Sequence, residues 1–96
     1  MTLAEFQRTL AQLEPPAGLA PALLALWWAG RDQWDKAHRV VMDEGDQAWV
    51  HAYLHRVEGD LGNAGYWYRK AQRPLSTESP PAEWAAIAET LLEKGP

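Results

Sequence analysis

Breaks fall along this chain at intervals too short for anything but small helices. Pro15-Pro16, Gly30 followed by Asp32, Gly45-Asp46, Gly59-Asp60, Pro74 and Ser79-Pro80 divide it. Most of them set a residue that ends a helix beside one that starts the next. Gly adopts the left-handed conformation that closes a C-terminus, Pro cannot continue a helix, and Asp or Ser accepts hydrogen bonds from the first free N–H groups. Between the breaks, apolar residues recur at three- and four-residue steps, and no useful length alternates with period two. The expected fold is all-α, a single domain over residues 1–96 with about six short helices.

Each helix carries its own signals. Thr2 with Glu5 reads as a capping box, and Leu3, Phe6, Leu10 and Leu13 form one stripe that Pro15-Pro16 should stop. Pro21 suits the first turn of a helix over Ala22–Ala29, apolar nearly all round and so expected at the centre, with Gly30 closing it in a left-handed turn. Asp32 is the expected N-cap of a third helix, with Trp34, Ala37, His38 and Val41 on one face and Gly45 as terminator. Asp46 should cap Gln47–Glu58, ended by Gly59. Asp60 should cap a helix from Leu61 to about Gln72. Ser79-Pro80 should start the last helix, with Trp84, Ile87, Leu91 and Leu92 buried.

Composition narrows the function. A chain of 96 residues is long enough for one core, burying roughly 65% of its unfolded surface without disulfides or a structural metal. It has no Cys, which excludes thiolate metal sites and cysteine nucleophiles and fits a reducing cytosol. The stretch Met1–Leu13 has neither a basic leader nor a continuous apolar run, and Ala22–Ala29 is far short of a membrane span, so a cytoplasmic protein without membrane association is expected. The net charge of −4 argues against nucleic acid, because phosphate neutralisation needs a basic field. The acidic C-terminal stretch (Glu78, Glu83, Glu89, Glu93) faces only one small basic cluster, Arg69, Lys70 and Arg73, with Arg56 as a fourth candidate member.

A pattern repeats in the middle. Shifting the chain by 27 residues lays Asp32-x4-Ala37-x3-Val41 on Gly59-x4-Ala64-x3-Tyr68. A small residue one turn into each helix lets a neighbour approach, and the larger one beyond it fills the space. The simplest architecture is two stacked α-hairpins flanked by a helix at each end. The stretch Gly59-Asp60-Leu61-Gly62-Asn63-Ala64-Gly65-Tyr66-Trp67-Tyr68-Arg69-Lys70-Ala71 resembles the second helix of a tetratricopeptide or Sel1-like repeat. Gly59, Ala64, Tyr68 and Ala71 stand at that family's turn glycine, small residue, aromatic and second small residue. The resemblance implies a hairpin scaffold for holding proteins or peptides. The chain departs from it in its shorter period, in the early Pro74, and in His51, Ala52 and His55, where the family has Leu, Gly and Tyr. The string His51-Ala-Tyr-Leu-His-Arg56 with Tyr66-Trp-Tyr-Arg69 also resembles a family of small uncharacterised bacterial proteins, which implies no activity.

Two sets of residues are candidates for a site. In the fourth helix, Trp49, Val50, Tyr53, Leu54 and Val57 share one face. His51, His55 and Glu58, at i, i+4 and i+7, gather within about 60° on the other. Two imidazoles one turn apart with a carboxylate can bind a divalent metal or do acid–base work. Equally, they can pack as neutral histidines bonded to a Tyr of the next helix or to each other. The second set is aromatic. Six Trp and three Tyr exceed what the buried stripes use. Trp27 and Trp28 point about 100° apart, so at most one can lie fully inside, and Tyr66 lies across from Ala64 and Tyr68. With Tyr53, and with Arg56 and Arg69 as cationic neighbours, these compose a surface for a protein or peptide partner, or for a homodimer.

No phosphate loop, nucleophile elbow or calcium loop is present, so no enzyme signature and no cofactor is expected. The leading expectation is a small interaction module with an aromatic, Arg-bearing groove between the hairpins. The rival is a metal or small-molecule site at His51, His55 and Glu58.

Overall fold

The computed structural model describes residues 1–42 and 47–95. Six helices occur in these: α1 (Leu3–Thr9), α2 (Pro21–Gly30), α3 (Trp34–Val41), α4 (Ala48–Glu58), α5 (Leu61–Lys70) and α6 (Pro80–Glu93). Helices α2 and α3 lie side by side across the Arg31–Gln33 turn, and α4 and α5 across Gly59-Asp60. The two hairpins meet through α3 and α4 and through α2 and α4; α6 lies against α2 and α4, and α1 rests on α6. This is the expected all-α arrangement of two hairpins with a helix at each end. No helix among the described residues is long and apolar enough to cross a membrane.

Four of the expected caps form. Thr2 and Glu5 make a reciprocal capping box. Gly59 closes α4 with φ at 90°, a left-handed conformation that Gly adopts without steric cost. Asp60 accepts from Asn63 N–H at 3.2 Å, and Ser79 Oγ accepts from Ala82 N–H at 3.4 Å. The Gly45 terminator and Asp46 cap lie outside the described residues.

Three expectations are corrected. Helix α1 ends at Thr9, well before Pro15-Pro16, and Leu13 leaves the stripe at 88% exposure. Backbone bonds spanning three residues tighten the chain after Thr9, and Arg31 Nη1 takes the carbonyls of Leu10 and Gln12 at 2.7 and 2.6 Å, satisfying groups a longer helix would have used. Gly30 does not supply the left-handed residue of the first hairpin. It is the last residue of α2, and Asp32 takes that role with φ at 60°. Gly30 is needed for close approach instead, because a Cβ there would stand 3.0 Å from Leu10 Cδ2 and 3.1 Å from Trp84 Cζ2. With Asp32 so placed, α3 begins from Gln33 without a side-chain cap.

The core is built on α2. Phe6, Leu26, Trp27, Leu54 and Ile87 have no exposure, and the Phe6 and Trp84 rings stack at 5.6 Å. Each indole nitrogen of three packed tryptophans finds an acceptor: Trp27 on Thr9 Oγ1, Trp34 on the Leu54 carbonyl, Trp84 on the Leu26 carbonyl. Ala37 and Ala64, the small residues of the repeated pattern, are both fully buried. Ala52, Ala64 and Tyr68 form a second, smaller cluster between α4 and α5.

Candidate functional site

The chain has three histidines, and the fold brings all of them to one place. His51 and His55 stand one turn apart on α4 and are buried, and the half-buried His38 reaches them from α3. His38 and His51 approach through their Nε2 atoms at 3.2 Å. The His51 and His55 rings stack at 4.9 Å, and His38 meets each of them edge-on at 5.0 and 5.1 Å. One ligating atom from each lies within 4.8 Å of the other two. Indoles close the cluster on two sides: Trp34 stacks on His38 at 4.6 Å, and Trp67 stacks on His51 at 3.9 Å.

Burial holds His51 and His38 neutral. Burial, with the neighbouring His55 and His38 adding to it, lowers His51 to about 4. Burial, then His55, also lowers His38, against the opposing pull of Glu58 and Asp35. A neutral imidazole carries one N–H and one lone pair, so one of His38 and His51 donates to the other. That leaves His51 Nδ1 buried without a hydrogen-bond partner, an uncommon condition inside a protein. Glu58 is not part of the close triad. Its Oε2 bonds His55 Nδ1 at 2.5 Å from the solvent side.

The opposite flank of α4 carries a different polar cluster. Arg56 Nη1 pairs with Glu83 Oε1 at 2.7 Å, Tyr68 O–H donates to Glu83 Oε2, and Arg56 Nη2 donates to the Glu78 carbonyl. Glu83 is only 4% exposed. Burial raises Tyr68, reinforced by its bond to Glu83, and pushes Tyr53 up to about 12. Arg56 is thus committed inside the fold, joining α4 to α6.

An open groove of about 640 Å³ lies between α1, the α2–α3 turn, α4 and the start of α6. Leu10, Trp34, Tyr53, Val57, Pro80 and Trp84 form most of its apolar wall, and Asp32 is the one charged residue among its described lining. Trp34 and Trp84 spend their N–H groups on backbone carbonyls, which leaves these two side chains no polar hydrogen to offer a ligand.

The sequence-derived candidates separate accordingly. His51 and His55 join His38, with Glu58 behind them. Tyr53 reaches the groove although it is largely buried. Trp27 is wholly buried and presents nothing at the surface, and Trp28 is half-buried beneath Lys36 Nζ at 4.4 Å. Tyr66 is 46% exposed and Arg69 is exposed, yet neither lines the groove. The cations over aromatic faces are Lys36, Lys70, Arg73 and Arg31, not Arg56 or Arg69. Sequence reasoning missed Glu83, Trp67 and the part His38 plays. Glu83 had a signal, since it stands four residues before Ile87 on the buried stripe of α6. No family model, curated protein or solved structure matches this chain.

Proposed function

We propose that this protein is a cytoplasmic binding module, not an enzyme, which takes an apolar segment of a partner protein carrying a Lys or Arg into the groove beside Trp34, Tyr53 and Trp84. The observation that carries this reading is the groove itself, an open concavity of about 640 Å³. That volume falls within the usual range for ligand pockets, roughly 300–1,000 Å³. Its wall supplies aromatic anchors of the kind that dominate interface energetics. The charge of the occupant follows from complementarity: Asp32 is the charged group at the rim, and the chain as a whole is acidic at −4. Resemblance of Gly59–Ala71 to a tetratricopeptide-type helix supports the same class of function, although the groove lies beside the first hairpin's turn and carries no Arg on its wall. The histidine cluster supports catalysis less well, because His51 and His55 are each 5% exposed and only His38 is half-buried.

The test is a tryptophan-fluorescence titration with short apolar peptides, each made with and without one lysine. The lysine forms should bind more tightly, and D32N should erase that preference. V57D, at a residue 46% exposed on the groove wall, should abolish binding without unfolding the chain. Equal binding by wild type and V57D, or none by wild type, refutes the groove. Sedimentation that shows self-association lost in V57D would assign the groove to a second copy of this chain and overturn the foreign partner.

A further inference from the structure

We infer that His38, His51 and His55 form a binding site for a divalent transition-metal ion, zinc first, with Glu58 as the outer carboxylate that orients His55. The ligand set differs from the spacing on α4 alone: a histidine from α3 replaces Glu58 next to the ion.

Distance is the first argument. Two nitrogens bound to zinc at about 2.0–2.1 Å in a tetrahedron stand about 3.3–3.4 Å apart. His38 Nε2 and His51 Nε2 stand 3.2 Å apart. One ring nitrogen of His55 lies within 4.8 Å of one from each of the other two histidines, so the three imidazoles converge on one place. The outer shell is the second argument. A metal-bound imidazole usually gives its other N–H to a carboxylate, which fixes the ring and its tautomer. Glu58 Oε2 already sits 2.5 Å from His55 Nδ1, leaving His55 Nε2 as the ring's ligating atom. His51 would ligate through Nε2, the atom that faces His38, and its buried Nδ1 would carry the proton without a partner in the fold. Three imidazoles without thiolate suit zinc or copper better than calcium or magnesium. They leave a fourth position for water on the half-buried His38 side.

Isothermal titration of zinc chloride into the untagged full chain, slightly above neutral pH, should show one ion per chain with micromolar or tighter affinity. Cobalt(II) should give the visible absorption of a tetrahedral nitrogen site. Because the chain has three histidines in all, their ring ¹⁵N resonances can each be assigned in the unsubstituted protein, and all three should shift together as zinc is added. H38Q and H51Q should each abolish binding. E58Q should weaken it by about 10- to 100-fold, the usual loss when an outer carboxylate is removed. D60N should leave it unchanged. No heat and no cobalt bands from a chain that is helical by circular dichroism would overturn the site. So would zinc binding that survives H38Q but fails in D60N, which would move the ion to His55, Glu58 and Asp60. Shifts confined to one histidine would overturn it without any variant.

Discussion

Helix α4 holds two buried polar clusters on its two flanks, and they are built to opposite rules. Around Glu83 everything is paired: one carboxylate oxygen meets Arg56, the other meets Tyr68, and Arg56 also holds the Glu78 carbonyl. Around His51 the rings are held by stacking, and one buried nitrogen lacks a partner. The first cluster is completed by the fold itself. The second is left unfinished, and buried polar groups left unfinished are where structure gives way to function.

The largest expected effect tests the completed cluster. Glu83→Ala strands Arg56 and the Tyr68 hydroxyl, and removing one partner of such a pair typically costs about 3–5 kcal/mol. That is a large part of what holds a small domain together, about 5–15 kcal/mol in all, so urea unfolding should show it at once. His51→Phe should cost less than about 1.5 kcal/mol in the same assay, since it keeps an aromatic ring of similar size against Trp67. Equal losses from the two variants would break the comparison and make the histidines ordinary core.

The clusters should also guard opposite ends of the pH range. His51 and His38 hold folded values below 6.5, so below that pH the unfolded chain binds protons the folded chain refuses. Stability should therefore fall as pH drops from 6.5 toward about 4. The groups facing these rings are His55, Glu58 and Asp35, with Lys70 beyond Trp67. Tyr53 and Tyr68 are raised, so the unfolded chain loses their protons first, and stability should decline as pH climbs above 10. Denaturation midpoints measured across pH should show both limbs, and H38Q/H51Q should flatten only the acid one. The smallest change is a benchmark remote from both clusters. Gln72 holds φ at 58° just after α5, and Gln72→Gly should relieve a left-handed penalty of about 1 kcal/mol. A loss there instead would mean that the Gln72 side chain is itself needed.

What the sequence discloses follows the range of the interactions involved. Thr2, Gly59, Asp60 and Ser79 act on backbone three or four residues away, and they were legible for that reason. Leu13 was misread because α1 is ended by Arg31, a residue from the far end of α2. Gly30 was misread as a turn residue because a close approach by Leu10 and Trp84 leaves no local trace. In the site, His51, His55 and Glu58 were legible as one helical row. His38 was not, since only the packing of α3 on α4 brings it to them. Glu83 passed for part of an acidic surface, although Arg56, in a helix buried on most sides, needed an anion from somewhere.

One side chain belongs to two places at once. The Trp34 indole stacks on His38 with one face and also lines the groove. Whatever immobilises that imidazole also stiffens the aromatic wall a partner would lean on. Thermodynamic reciprocity then requires the converse: a partner that clamps the indole tightens the ion's hold by the same factor. Zinc affinity measured with and without a groove peptide would reveal that coupling from either side.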